Sequence, residues 1–292
     1  MRGAVAITRR GAVPAFQFAA CAHSQPISSR RWRSTSAQET AQKPATASLS
    51  PRWLSDVKHR VGKCITFGLQ PHQTSQAGEI LSAVAKDWRA LVAGSEGFLT
   101  GPDRRGMHRQ EVVWGEMDSM GHVNNVMYNR YAESGRIGWA QKLSKLDPAN
   151  KKAWSDLFGP NGEAGLILRA ITTEFKFPMT WPDRISVYHK LRTEPTSGTD
   201  SFVLDVLIMS ELHQRPAARS IEDIVVYDYR IGKKTPLKPF MIDVLRDTWR
   251  LQEEAKRTNS GRVDGLLEQV RELEKSSWDR QDAVEDVGRG IS

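Results

Sequence analysis

One short stretch concentrates the side chains able to do chemistry: Trp114–Arg136, WGEMDSMGHVNNVMYNRYAESGR. Asp118 carries a carboxylate that can attack a carbonyl carbon, or take a proton from a water that does. Either route puts negative charge on the carbonyl oxygen. A helix is predicted over Val123–Leu143, and a helix N-terminus offers unpaired N–H groups and the positive end of its dipole. The amides around Asn124 and Asn125 are therefore candidates for an oxyanion hole. Each residue also has a plainer role. Asp118 is a good helix N-cap. His122 can act as general acid or base, or hold the loop by a hydrogen bond. Asn124 and Asn125 suit turns and caps, and one of them can also position substrate or water. Gly121 lets the backbone turn tightly or approach a ligand.

The elements that must position these groups read as follows. His108–Met117 is a strand with Val112 and Trp114 on one face. After the helix come four segments rich in Val, Ile, Phe, Tyr and Thr: Gly165–Phe177, Ile185–Glu194, Phe202–Leu212 and Ile221–Arg230. Pro178 with Trp181-Pro182-Asp183, Pro195 with Ser197-Gly198, and Gln214-Arg215-Pro216 break them as turns. In the second segment Ile185, Val187, His189 and Leu191 alternate with Ser186, Tyr188, Lys190 and Arg192, the period of a half-buried strand. Strand, long helix, then a run of strands is an α+β order. An antiparallel sheet wrapped around the long central helix is the economical way to bury both.

Helical extensions are expected on either side. Ser75–Val92 places Leu81, Val84, Trp88 and Leu91 at helical spacing, and Gly94 and Gly97 follow as stop signals. Pro239–Lys256 reads as another helix, and Leu266, Leu267, Val270 and Leu273 as a short amphipathic one inside a polar tail. The resulting division is 1–38, 39–106 (linker and N-terminal helical extension), 107–250 (main domain) and 251–292 (helical or disordered tail).

The net charge of +8 is concentrated in the first 38 residues, which hold six arginines, no lysine and no acid before Glu39. The rest of the chain is nearly neutral, so a nucleic-acid partner is not expected. An Arg- and Ser-rich, acid-free N-terminus has the composition of a mitochondrial transit peptide; Arg9, Arg10 and Pro14 interrupt the apolar core that a secretory signal needs. No apolar run is long enough to span a membrane. Cys21 and Cys64 give neither a disulfide framework nor zinc spacing, and no metal or cofactor is expected.

The pattern of Asp118, Gly121-His122-Val123-Asn124-Asn125, Tyr128, Tyr131, Glu133 and Arg136 resembles the hotdog-fold acyl-CoA thioesterase family, in its 4-hydroxybenzoyl-CoA thioesterase-like branch. The resemblance covers roughly residues 107–250. It implies hydrolysis of an acyl-CoA or acyl-carrier-protein thioester, with Asp118 as nucleophile or base and a helix N-terminal amide polarising the carbonyl. Tyr128 and Tyr131 are then expected in or near an acyl pocket. Glu133 is either a further carboxylate of the site or a partner for Arg136. Arg169, Lys176, Lys190 and Arg192 are candidates for coenzyme A phosphates, or simply solvated strand positions. Glu116 stands where the family often has a second aspartate. Hotdog domains pair through their sheets with sites at the interface, which implies a homodimer. Two rivals stand beside this reading: a hotdog scaffold or subunit of a mitochondrial assembly, and a hydratase or dehydratase, whose Asp-x-Asn-Pro-x-His pattern is not matched here.

Overall fold

A computed structural model describes residues 49–159 and 162–286. The expected transit segment, 1–38, lies outside them. Helices α1 (Trp53–Thr66) and α2 (Pro71–Val92) come first, followed by strand β1 (Met107–Glu111) and the long helix α3 (Asn125–Leu146). A short helix α4 (Lys151–Asp156) leads into β2 (Ala164–Phe175), β3 (Arg184–Leu191), β4 (Ser201–Ser210) and β5 (Arg215–Asp228). The two-residue β6 (Lys233–Lys234) and helix α5 (Pro239–Ser276) complete the order.

The strands form one antiparallel sheet in the order β1-β3-β4-β5-β2, with β6 added to β5. Helix α3 lies on its inner face, the arrangement expected of a hotdog. Tyr128, Tyr131 and Ala132 pack on Ile185, Val187, Val206, Ile208 and Ala218, while Trp139 and Leu143 join Leu191, Leu204, Ile224 and Val226. Contact is close enough to dictate composition. A Cβ at Gly135 would sit 2.8 Å from Val187 Cγ1, so nothing larger than glycine fits there without a shift.

The outer face is covered as well. Tyr188, Leu207 and Met209 are buried against Leu54, Val57 and Val61 of α1, Val84, Trp88 and Leu91 of α2, and Val263, Val270 and Leu273 of α5. Each fully buried side chain of this kind contributes about 1.5–3 kcal/mol. The two faces are joined by α5 itself. Its first turns place Met241, Ile242 and Leu245 in the inner core, and its later turns lie in the outer one. Between them, the Gln252 side chain donates to Leu191 O at 3.1 Å and accepts from Leu191 N at 2.9 Å.

Several sequence expectations need correction. Strand β3 is buried on both faces, not one, because the extensions supply a second layer. The first strand ends at Glu111, and Trp114–Glu116 forms a single 3-10 turn. Strand β5 begins at Arg215 rather than Ile221: Pro216 sits at the strand's start beside a bulge at Ala217 of β5, where the missing N–H is tolerated. The two C-terminal helices are one, running through residue 250, with Asn259 Nδ2 donating to Ala255 O in the polar middle. Helix α1, absent from the sequence reading, buries Trp53, Leu54, Val57, Val61 and Cys64 at helical spacing.

Candidate active site

Asp118 sits in a tight loop between the 3-10 turn and α3. Met117 and Val123 bridge across its base. Asp118 N donates to His122 O at 2.8 Å, and Gly121 N donates to Asp118 O at 3.0 Å. The loop closes through Gly121 at φ +76°, a left-handed conformation that glycine adopts without strain. Asp118 Oδ1 accepts from Met120 N at 2.8 Å and from His122 N at 3.4 Å. Its second oxygen, Oδ2, has no hydrogen-bond partner among the described residues, and the side chain is half exposed.

The N-cap of α3 is Asn124, whose side chain accepts from Val126 N at 3.1 Å. Asp118 does not cap the helix, so that alternative reading is excluded. Asn124 N is committed to Glu116 O at 2.8 Å. Asn125 N is the helix-terminal amide left without a partner among the described residues, which narrows the oxyanion-hole donors to one. The His122 side chain is half buried and makes no hydrogen bond among the described residues.

Glu116, at the position where the family often has a second aspartate, braces the loop. Its Oε2 accepts from Val113 N at 2.8 Å and from the Tyr131 hydroxyl at 2.7 Å. Burial, and then the Glu116 charge, hold the Tyr131 phenol well above its usual range, so it stays a neutral donor. Tyr128 is pushed up by burial too, and accepts from Met179 N at 3.3 Å. Both tyrosines sit in the core beneath the loop and line none of the three cavities described.

Glu133 is exposed and does not pair with Arg136. Arg136 Nη1 instead donates to the buried Glu222 Oε1 at 2.5 Å. Glu133 and Arg136 line a cavity of about 320 Å3 with the second half of α3 on one side and β2, β4 and β5 on the other. The four candidate phosphate cations all face protein acceptors. Arg169 bonds Asp223, Lys176 bonds Glu174, Arg192 bonds Asp205, and Lys190 lies 3.9 Å from Asp205 and donates to Glu96 O. Around the loop the surface is apolar: Trp114 (68% exposed), Met120 (76%) and Val126 (61%) stand out, with Trp114 edge-on to Trp181 at 5.7 Å. No cluster of metal-ligating side chains occurs among the described residues, and no described helix is long and apolar enough to cross a membrane.

Residues 112–245 match the thioesterase-like superfamily. The match falls within the sheet-and-helix domain, and it supports a thioesterase-like hydrolase. Solved structures similar to this chain include a thioesterase from Thermus thermophilus complexed with coenzyme A and zinc, 20% identical over 51% of this chain and 96% of that one, with TM-score 0.39. The DHNA-CoA thioesterase of Staphylococcus aureus is 15% identical over 51% and 94%, with TM-score 0.41. A 1,4-dihydroxy-2-naphthoyl-CoA thioesterase from Synechocystis is 19% identical over 49% and 96%, with TM-score 0.39. A search of curated proteins finds no match.

Proposed function

We propose that this protein hydrolyses an acyl thioester of coenzyme A or acyl-carrier protein, with Asp118 as nucleophile or general base. The observation that carries this reading is an open carboxylate oxygen on Asp118, in the loop that leads into a helix whose Asn125 N–H is unpartnered among the described residues, within the stretch that matches the thioesterase-like superfamily. In direct attack the carboxylate displaces the thiolate to give a mixed anhydride, which water then hydrolyses. As a base, Asp118 takes a proton from the water that adds to the carbonyl. Both routes place an oxyanion, which the Asn125 amide is free to receive; one such donor typically contributes about 3 kcal/mol to barrier lowering.

The working unit is a homodimer joined through β2. This twelve-residue strand ends the sheet order, and beyond Leu166, whose N–H donates to Leu157 O at 3.1 Å, its outer edge has no backbone partner among the described residues. The 320 Å3 cavity begins at Glu133, about 12 Å along α3 from Asn125, and reaches Ala140, about 22 Å along it. A substrate seated there is remote from its own Asp118. Antiparallel pairing of two β2 strands about a twofold axis sets the Ala164 end of one against the Phe175 end of the other, and Phe175 packs on Tyr128 near the start of α3. Such a dimer brings the cavity toward the partner's Asp118. The arginine-rich N-terminus supports a mitochondrial setting.

The test is an acyl-CoA hydrolysis panel on wild type, Asp118→Ala and Asp118→Asn, with the assembly checked by sedimentation. Hydrolysis that both substitutions abolish supports the reading. A folded dimer that cleaves no thioester leaves the scaffold role instead, and a strictly monomeric active enzyme sinks the shared site.

A further inference from the structure

We infer that the cavity along the second half of α3 is the acyl pocket, and that it takes a plain apolar acyl group of up to about ten carbons. The inference rests on the thioesterase reading above and adds the substrate class. At about 320 Å3 the cavity falls within the size range of ligand sites and is far larger than the voids close-packed cores leave. A small group occupies about 30 Å3 in a liquid, the share of one water, so roughly ten methylene-sized groups fill it.

The lining selects the chemistry. Trp139, Ala140, Phe158, Leu168, Leu204 and Ile224 form the walls away from Glu133, and their side chains offer an alkyl chain contact with the Trp139 indole N–H as the one polar group. The charged wall residues, Glu133 and Arg136, stand nearer the start of α3, and Arg136 is already bonded to Glu222. Polarity is therefore graded along the helix, charged at the end nearer its N-terminus and apolar at the other. The alkyl tail of an acyl thioester loses water on entering between such walls. Apart from the Trp139 indole N–H, these walls offer no side-chain partner for a hydroxyl or carboxylate at the far end of the tail, which disfavours such acyl groups. The small side chain of Ala140 keeps the deep part open, and the half-exposed Ile137 lies on the same wall nearer solvent.

The experiment compares kcat/KM over straight-chain acyl-CoAs from acetyl to palmitoyl, together with ω-hydroxydecanoyl-CoA. In parallel, calorimetry measures binding of free decanoate to the dimer. Wild type is expected to prefer octanoyl to decanoyl, to discriminate against ω-hydroxydecanoyl by at least about tenfold, and to bind decanoate. Ala140→Leu is expected to lower the decanoyl-to-butyryl ratio by about tenfold and to weaken decanoate binding. Ile137→Trp, at a position that tolerates bulk, gives the same readout if the first variant does not fold. Preference for acetyl or palmitoyl, equal use of the hydroxylated chain, or decanoate binding unmoved by the folded variants overturns the inference. Decanoate binding that the variants abolish, in a protein that hydrolyses nothing, supports the pocket while the thioesterase reading alone fails.

Discussion

The Tyr131 hydroxyl donates to Glu116 Oε2 at 2.7 Å, and this bond joins the second turn of α3 to the residue two before Asp118. Because the same carboxylate oxygen also accepts from Val113 N, one side chain fixes both the entry to the loop and its distance from the helix. Tyr131→Phe removes the donor and keeps the ring packing. The expected loss is about 1 kcal/mol of stability. Loosening the loop is expected to lower kcat roughly ten- to hundredfold with KM little changed, since misplacing a reacting group by an ångström is costly. Thermal unfolding and steady-state kinetics on one preparation check both parts. An equal fall in kcat/KM caused by KM alone would assign Tyr131 to substrate binding instead.

Asn124 and Asp118 separate capping from chemistry. Asn124→Ala deletes the acceptor for Val126 N and is expected to cost about 1 kcal/mol, the usual worth of an N-cap. Asp118→Asn keeps an oxygen for Met120 N and is expected to change stability by less than about 0.5 kcal/mol. Hydrolysis should nevertheless fall by more than about a hundredfold, because the amide can neither attack nor accept a proton well. Denaturant titration and a thioester assay on both variants decide this. A large stability loss in Asp118→Asn would make the carboxylate a loop brace.

The contrast between these residues shows what the sequence makes legible. Strand and helix periodicity gives the α+β order, and the hotdog itself rests on the resemblance carried by Trp114–Arg136. Which of two nearby polar residues caps a helix is not local. Asp118 and Asn124 are equally good caps by type, and the choice fell to Asn124 because the Met117–Val123 bridge turns Asp118 back into its own loop. Helix spacing likewise offers Glu133 as a partner for Arg136, whereas the antiparallel sheet delivers Glu222 from 86 residues away. Burial of β3 on both faces depended on α1, whose period lay in plain view at Trp53, Val57, Val61 and Cys64 but had no visible partner surface.

Attachment of the helical layer to the sheet hinges on Glu211. Arg89 of α2 reaches it with two nitrogens, one at 2.9 Å, and the Ser186 hydroxyl donates to it at 2.5 Å. Arg89 and Ser186 hold this carboxyl below its usual range although burial opposes them. Glu211→Ala leaves Arg89 partly buried without its partner and is expected to destabilise the fold by about 3 kcal/mol. Urea unfolding should show a lower midpoint with an unchanged slope. A midpoint within error of wild type would mean that apolar contacts alone hold the layer.

A shared site makes mixed dimers informative. Protomers carrying Asp118→Asn retain an open cavity, and protomers carrying Ala140→Leu retain the carboxylate. If each site takes its cavity from one chain and Asp118 from the other, co-refolding the two gives one intact site in every mixed dimer. Random pairing makes about half of the dimers mixed, so decanoyl hydrolysis is expected to recover to about a quarter of wild type. No recovery above the separate variants would place both parts of the site in one chain.

His189 and Glu222 set an opposed pair of proton equilibria under α3, with Nε2 3.8 Å from Oε2. Burial, and then the Arg136 charge, depress the imidazole from 6.5 to about 3. Burial raises the Glu222 carboxyl from 4.5 to about 7, outweighing Arg136, and Glu133 adds to the rise. Between about 3 and 6.5 the unfolded chain binds a proton at His189 that the folded chain refuses, so this residue makes folding more favourable as pH rises. Glu222 acts in the other sense. Its contribution is complete below 4.5 and is lost as pH rises through about 7, because the folded chain keeps a proton the unfolded chain has released. The two slopes offset each other between about 4.5 and 6.5, leaving Glu222 alone just above that window. Glu222→Gln cannot titrate and removes the falling branch. Relative to this variant, wild type is therefore expected to lose on the order of 1–3 kcal/mol between about pH 5 and pH 8, read as the gap in Tm at matched ionic strength. Parallel Tm curves would mean that Arg136 already keeps Glu222 ionised in the folded protein at pH 5.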